Sequence, residues 1–468
     1  SRLAAAEGDR ERATQILREA ARCLAREQGD VHSLEVRAGL AFHAARIRDV
    51  DVGDATDAGT PEELFESVER WRAASHRVPP LRPPDDPETA ELVRRLRRVR
   101  RVRHRDADDE LTSTQTEVSM LQGEITRRLR TVRASHADTD DSPATAAEAR
   151  RATEERHATL VTFHEVRGTV VRLVLDGSGL RQSVLGPVAE LTTVASRATS
   201  DVRAAAVARP SMAAFLRAAR AASLRDVDTA LLGGLEPDGT VVVVPTVALA
   251  SLPWRALPSL ADHPVVASPS VTAWVRRGVA SHRPTTVAAL VGPGLPRGRE
   301  EVDAVARVWE RHTGVGAVTT TPGYAVSADV RSALATSSVV HLAAHGHHAD
   351  QSPLFSSLDV ADGPVFAHEL AAPVAAELVV LSACDVGRSR GRAGDEPLGL
   401  AAALLILGVQ CVVAATNPVP DDVAAAAMVD LHHRLVDGTD VATALRTTAR
   451  EVEGAEAFCA YGSTWSRT

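Results

Sequence analysis

The sequence contains no lysine: all 53 of its basic side chains are arginines, and Asn417 is its single asparagine. No folding principle requires this, and with the excess of Ala, Arg, Val and Pro it indicates a genome-wide coding bias. The 61 acidic residues outnumber the basic ones and give a net charge of -8. That balance argues against non-specific nucleic-acid binding as the main activity, because such binding needs a basic surface.

Cysteine is also scarce, with four residues far apart and no CxxC spacing: Cys23, Cys384, Cys411 and Cys459. This spacing excludes a disulfide scaffold and a zinc finger, and it favours a reducing cytosol. No run of ~18 apolar residues occurs, which argues against a membrane protein. There is no signal peptide, and the chain starts with Ser rather than Met, so we expect a processed or trimmed chain that has lost sequence upstream.

The remaining composition is that of a globular protein, with 468 residues, 44% of them hydrophobic and 24% charged. This length predicts two to four folding units at ~100–200 residues each. The first unit is residues 1–76, where apolar positions recur at helical spacing. We interpret it as a tetratricopeptide-like remnant. Residues 77–157 follow a proline-rich break and predict long helices, with one helical stretch over 88–134, and a polar linker.

The helical stretch carries the run RRLRRVRRVRHR at residues 94–105. One interpretation is a nucleic-acid-binding or acid-binding face, which predicts a steep salt dependence of binding. The other is a solvated helical face beside the acidic run DADDE that follows it. The negative net charge of the whole chain favours the solvated face.

The sequence pattern changes from helical to β-rich at about residue 158. Three short β-rich runs separated by Gly turns predict a meander. A helical stretch follows, and residues 239–258 predict a buried strand that ends in a Pro-bounded turn. From residue 285 apolar strands alternate with helices, which predicts a parallel sheet covered on both faces. Right-handed crossovers would place the carboxyl ends of these strands along one edge, where the sites of α/β proteins lie.

Two of these strands end in residues that can react. The run VVHLAAHG ends in His345 and Gly346, and the run LVVLSACDVG leads to Cys384. Because neighbouring parallel strands lie only ~5 Å apart, two such ends can bring an imidazole to a thiol. The pair would supply a general base and a sulfur nucleophile. The backbone N–H groups of Gly346 and Cys384 would then form an oxyanion hole for acyl transfer.

Other interpretations of these residues stand beside this one. A cysteine after an apolar strand is often a small core residue, and we assign that role to the other three cysteines. The run HLAAHGHH suggests a metal site, but its spacing fits neither HExxH nor HxHxDH, and His341 lies inside the apolar run as a core residue. Ser382 lacks the GxSxG context of a serine nucleophile. The run LVGPGLPRG resembles a phosphate loop without the GK[ST] that ATP binding needs.

Several of these blocks together resemble the CHAT domain, a caspase-like peptidase domain often found with tetratricopeptide repeats and related in fold to caspases and separases. The blocks lie at roughly 160–465 and include VVHLAAHGHHADQSPLFSSLDVADG, ELVVLSACDVGRS and GDEPLGLAAALLILGVQCVVAATNPVPDD. Two departures are Ala344, where a Cys is frequent before the His, and NPVPDD, which lacks a common Trp and so alters the expected wall of the substrate pocket.

The resemblance implies an α/β fold: a caspase-like, mostly parallel sheet flanked by helices, with a pseudo-protease half at 158–283, a catalytic half at 284–468 and an all-α region before them. It implies a cysteine endopeptidase with His345 and Cys384 as its dyad, which needs no metal or organic cofactor. It also implies a protein substrate, a role in bacterial defence or regulated proteolysis, and a sensor or partner bound by the helical N-terminus, with neither nucleic acid nor membrane involved.

The residue before the cleaved bond commonly decides substrate choice in caspase-like folds. We expect a basic residue there, because five acids cluster in loops near the predicted site: Asp385, Asp395, Glu396, Asp421 and Asp422. For Asp421 and Asp422 the other interpretation is that they are carboxylates at a helix N-terminus. The alternative function is a helical-repeat scaffold whose peptidase-like half binds a partner protein without cleaving it.

Overall fold

The structure is a computed structural model, and it describes residues 10–29, 34–75, 86–103, 111–129, 142–282, 284–320, 322–347, 355–370, 374–382 and 399–468. The helices are α1 Arg10–Gly29, α2 Leu34–Ala58, α3 Pro61–Ser75, α4 Pro87–Arg103, α5 Leu111–Leu129, α6 Ala146–Glu155, α7 Val188–Ala206, α8 Ala213–Leu232, α9 Val271–Arg277, α10 Gly298–Thr313, α11 Ser327–Thr336, α12 Leu400–Ile406, α13 Asp421–Val436 and α14 Val441–Glu451. The strands are β1 Ala158–Val166, β2 Thr169–Asp176, β3 Gly179–Pro187, β4 Thr240–Val244, β5 Val265–Ala267, β6 Ala280–His282, β7 Val287–Val291, β8 Ala317–Thr319, β9 Val339–Ala343, β10 Gly346–His347, β11 Ser357–Val360, β12 Gly363–Phe366, β13 Leu378–Ser382, β14 Cys411–Ala415, β15 Phe458–Gly462 and β16 Trp465–Arg467.

Eleven of the described strands form one sheet, in the order β3-β2-β1-β4-β5-β15-β14-β13-β9-β7-β8. The meander β1-β2-β3 and the β14-β15 pair are antiparallel, and all other neighbours in this sheet are parallel. The predicted mostly parallel sheet flanked by helices is confirmed. Strand β15 lies between β5 and β14 in this sheet. It joins the set β1–β5 to the set formed by β7, β8, β9, β13 and β14.

The apolar strands of the second half are buried on both faces of this sheet. One face packs against α10, α13 and α14, and the other against α11, α12 and the small sheet β10-β11-β12. Every residue of β7, β9, β13 and β14 is buried, as continuous apolar runs in a covered parallel sheet should be.

Helix α10 shows how local sequence sets an element of this fold. Val302, Val305 and Trp309 recur at helical spacing and are fully buried. Acidic side chains stand in its first turn and basic ones in its last, where each complements the helix dipole. The helix ends at Gly314, which adopts the left-handed conformation with φ of 68°.

The predicted helical stretch over 88–134 is instead two helices, α4 and α5, which fold back on each other. Arg128 near the end of α5 contacts Asp86 and Glu88 at the start of α4. The hairpin buries an apolar cluster against the small sheet, which a single extended helix would leave in water. That cluster contains Val93, Leu96, Val118, Leu121, Ile125, Phe355 and Phe366.

Among the described residues, no helix is both long enough and apolar enough to cross a membrane.

Candidate active site

Strands β9 and β13 are parallel neighbours, and their register carries the site. Ala343, the last residue of β9, lies opposite Ser382, the last residue of β13. The pairing continues one step further, because the N–H of Ala344 donates to the carbonyl of Ser382 at 3.3 Å. His345 follows Ala343 by two residues. Cys384 follows Ser382 by two residues and lies outside the described part of the chain.

The His345 side chain is exposed, and a backbone carbonyl holds one of its nitrogens. Its Nε2 lies 3.2 Å from the carbonyl oxygen of Gly294 in the loop between β7 and α10. A carbonyl can only accept, so this hydrogen bond places the hydrogen of the neutral ring on Nε2. Nδ1 then carries the lone pair that a general base needs.

The loop at residues 292–297 is fixed at both ends. The N–H of Gly292 donates to the carbonyl of Ala343 at 2.7 Å, and the N–H of Arg297 donates to Oδ2 of Asp421 at 2.7 Å. Gly294 adopts φ of 85°, and a Cβ at this position would lie 3.2 Å from Cδ2 and Nε2 of His345. A glycine therefore lets the loop backbone approach the imidazole this closely.

The backbone after His345 begins the small sheet. The N–H of Asp359 donates to the carbonyl of His345 at 2.9 Å, and Gly346 lies opposite Leu358. Hydrogen-bonded and non-hydrogen-bonded pairs alternate in an antiparallel ladder, so the N–H of Gly346 points away from β11. That orientation leaves this N–H available to a substrate oxygen.

Comparison with known proteins identifies the family. The CHAT domain family matches residues 192–458, which is more than half of the chain. The chain belongs to the CHAT domain family. No curated protein matches it.

Solved structures similar to this CHAT protein include two of separase from Saccharomyces cerevisiae, crystallised with securin. The first is 8% identical, with a TM-score of 0.54, over 97% of this chain and 40% of the separase chain. The second is 10% identical, with a TM-score of 0.49, over 98% of this chain and 40% of the separase chain. The first likeness is one of fold, and the CHAT chain spans about two fifths of the length of separase.

The three described histidines of the CHAT run HLAAHGHH do not form one cluster. His341 is fully buried, whereas His345 and His347 are exposed, and Nε2 of His347 lies 2.8 Å from Oδ2 of Asp359. His348 lies outside the described residues. Within the part of the chain that is described, no group of three or more His, Cys, Asp or Glu residues could hold a metal ion.

The predicted acidic pocket is described only in part. Asp421 and Asp422 form the first turn of α13, and the Asp421 carboxylate accepts the Arg297 N–H. Asp422 is exposed. Asp385, Asp395 and Glu396 lie outside the described residues.

Three of the other nucleophile candidates, Ser382, Cys411 and Cys459, are buried. Ser382 is the last residue of β13, and its side chain is buried. Its hydroxyl has no hydrogen-bond partner among the described residues. Burial raises the pKa of the Cys411 thiol strongly and that of Cys459 to about 11, so neither is a thiolate near neutral pH. The assignment of Cys23 to the core is wrong, because its side chain is exposed on α1, where the Arg26 side chain contacts its sulfur at 3.3 Å.

Four arginines of the run on α4 are paired with acidic side chains. Arg94 and Arg98 both contact Glu91, and Arg95 contacts Glu117 of α5. Arg97 is half of a buried ion pair with Glu369. These contacts favour the solvated helical face over a nucleic-acid-binding face.

Gly294 is the site residue that sequence reasoning missed. It belongs to the run LVGPGLPRG, which the sequence analysis considered only as a phosphate loop and rejected for lack of the GK[ST]. Its place in the chain could have indicated this role, because the loop follows β7, which neighbours β9, the strand just before His345.

Proposed function

We propose that this CHAT protein is a cysteine endopeptidase in which Cys384 is the nucleophile and His345 the general base. The observation that carries the proposal is the register of β9 and β13, which sets Ala343 opposite Ser382. The chain advances two residues from each of these positions to reach His345 and Cys384. The orientation of the His345 ring supports the same assignment, since Nδ1 remains free of the Gly294 carbonyl.

The proposed reaction uses only side chains and backbone of this chain. Nδ1 of His345 takes the proton of the Cys384 thiol, and the thiolate attacks the scissile carbonyl carbon. The N–H groups of Gly346 and Cys384 stabilise the oxyanion. The imidazolium then gives its proton to the leaving amine as the C–N bond breaks, which leaves a thioester on Cys384. Water deprotonated by His345 attacks the thioester, and the acid product leaves as the thiol re-forms.

For the substrate we propose a protein with a basic residue before the cleaved bond. The exposed carboxylate of Asp422 supports this, together with the acidic residues Asp385, Asp395 and Glu396 that the sequence places near Cys384. The Asp421 carboxylate has a structural partner in the Arg297 N–H and contributes less. Peptides that vary only at this position test the preference, and equal cleavage after Arg and after an apolar residue would contradict it.

The wider role that we propose is regulated proteolysis in the cytoplasm, of the kind used in bacterial defence. The separase structures contain a bound protein, securin. We propose likewise that a protein partner or sensor acts on this chain through its helical N-terminal region, residues 1–76. We also propose that residues 158–283 form a pseudo-protease half and residues 284–468 the catalytic half.

New protein N-termini provide the test of the peptidase assignment. A cell lysate is incubated with the native chain, with Cys384→Ala and with His345→Ala, and the N-termini are compared by mass spectrometry. We expect specific new termini from the native chain alone. Cleavage that persists in Cys384→Ala would exclude this mechanism, and partner capture without any cleavage would favour the scaffold function.

A further inference from the structure

A chain of four buried polar side chains lies beneath the proposed site and takes no part in the mechanism. Trp309 and Glu301 come from α10, His341 from β9 and His432 from α13, and all four are at most 2% exposed. The Trp309 Nε1–H donates to Nδ1 of His432 at 3.0 Å. His432 Nε2 lies 3.2 Å from His341 Nδ1, and His341 Nε2 lies 3.0 Å from Glu301 Oε1.

These contacts fix the position of every hydrogen along the chain. Because the indole N–H can only donate, Nδ1 of His432 accepts, and the hydrogen of its neutral ring lies on Nε2. Burial keeps His432 neutral, since it holds the pKa of that imidazole well below its ordinary value. Nε2 of His432 therefore donates to Nδ1 of His341. The His341 hydrogen then lies on Nε2, and Oε1 of Glu301 lies 3.0 Å from this nitrogen but outside the angle of a hydrogen bond.

The last member of the chain stands next to the loop that orients His345. Glu301 is in the first turn of α10, directly after the 292–297 loop. Three polar contacts thus link β9 and the residues just after it to the segment from Gly292 to Glu301. They join His341 to Glu301, Ala343 to Gly292, and His345 to Gly294. The contact between His341 and Glu301 is the polar one made by side chains, beside the apolar packing of Val339 and Ala343 in the same core cluster as Val302 and Val305.

The stability of the fold does not explain why these four buried side chains are polar. Apolar side chains of similar volume usually stabilise a core as well as a buried ionic contact does, because burying a carboxylate carries a large desolvation cost. What the polar contact supplies is a fixed direction and distance between β9 and the start of α10.

We propose that Glu301 and His341 are positioning residues for His345. Their contact holds the start of α10, and hence the Gly294 carbonyl, where it fixes the His345 tautomer and keeps the lone pair on Nδ1. This inference rests on the proposed dyad. His432 and Trp309 set the tautomer of His341 from the other side.

The test is the alkylation rate of Cys384 by iodoacetamide as a function of pH, measured by peptide mass spectrometry in a Cys23→Ser background. A thiolate paired with an imidazolium reacts at low pH, whereas an ordinary thiol with a pKa of ~8.5 does not. At about pH 6 we expect Glu301→Ala and His341→Ala to react on the order of 100-fold more slowly. Glu301→Gln keeps an acceptor at Oε1, and we expect it to restore the native profile.

A buried carboxylate elsewhere serves as the matched control. Glu69 of α3 is 1% exposed and accepts hydrogen bonds from the N–H and hydroxyl of Thr272, both at 2.8 Å. Glu69→Ala should lower the melting temperature and leave the alkylation profile of Cys384 unchanged. Each variant is measured below its own melting temperature.

Trp309→Phe provides a second variant should Glu301→Ala not fold. It removes the N–H that fixes the His432 tautomer, so we expect a smaller shift in the same direction. The positioning role is wrong if folded variants keep the native pH profile of Cys384 alkylation. This applies to Glu301→Ala, His341→Ala and Trp309→Phe, and the dyad would be unaffected by that result. Identical profiles for the native chain and His345→Ala would instead overturn the dyad, and the inference with it.

Discussion

The Nε2 atom of His345 lies 3.2 Å from the carbonyl oxygen of Gly294, which belongs to a different strand–helix connection of the sheet. This one contact decides which nitrogen of the ring carries hydrogen and which keeps its lone pair. It also explains why the loop needs a residue without a side chain at this position. The orientation of the proposed base is thus set by backbone rather than by a carboxylate.

The first prediction concerns Gly294→Ala. The new Cβ would lie 3.2 Å from the His345 ring, and the left-handed backbone adds strain of about 1 kcal/mol. Because a misplacement of ~1 Å can cost on the order of 100-fold in rate, we expect a large loss of proteolysis.

Gly314→Ala is the control for that prediction. It has a similar φ of 68° at the end of α10, but open space around the Cβ position. We expect it to lower the melting temperature without changing the cleavage rate. Equal losses of activity in the two variants would show that the glycines act through stability alone.

The second prediction concerns the largely buried ion pair between Arg97 of α4 and Glu369, which ties the α4–α5 hairpin to the segment directly after β12. Arg97→Met leaves the Glu369 carboxylate buried without its cation, so the free energy of unfolding should fall by about 3–5 kcal/mol. The double variant Arg97→Met/Glu369→Leu removes both charges, and we expect it to regain most of that loss. Urea unfolding measures both, and strictly additive losses would contradict the pairing.

The third prediction concerns acid stability. Burial, together with the charge of Arg72, holds the pKa of His164 well below 6.5, and burial does the same for His432. Below pH 6.5 these two histidines bind protons in the unfolded chain but stay neutral in the folded chain. The free energy of unfolding should therefore fall with pH, by about 1.4 kcal/mol per pH unit for each of these histidines.

Urea unfolding between about pH 4.5 and pH 8 measures this slope. His164→Gln removes one of the two groups, and its slope below pH 6.5 should be correspondingly smaller than that of the native chain. An unchanged slope would show that His164 does not titrate with unfolding.

The sequence predicted the strands of the site well because each is a short apolar run bounded by a helix or a turn. His345 and Cys384 follow two such runs, and the parallel pairing of β9 with β13 brings those strands together as expected. Parallel order and right-handed crossovers were enough to predict that the ends of β9 and β13, which precede His345 and Cys384, lie at the same edge of the sheet.

The contacts that orient the site could not be predicted in this way. The Gly294 carbonyl is a backbone group, and any residue type would present one. His341 and His432 lie 91 positions apart in the sequence, and Trp309 and His432 lie 123 apart, so only the folded core brings them together. The return of α5 onto α4 was also missed, because apolar spacing indicates a buried face without indicating what buries it.

Covalent labelling of the native chain tests the proposed dyad most directly, because it needs no knowledge of the substrate. The chain and His345→Ala are treated with a mixture of peptidyl chloromethyl ketones that differ in the last residue, and modified cysteines are mapped by mass spectrometry. We predict an adduct on Cys384 of the native chain, formed at least on the order of 100-fold more slowly in His345→Ala. Labelling of Cys384 at equal rates in both proteins, or of Cys23 instead, would contradict the account.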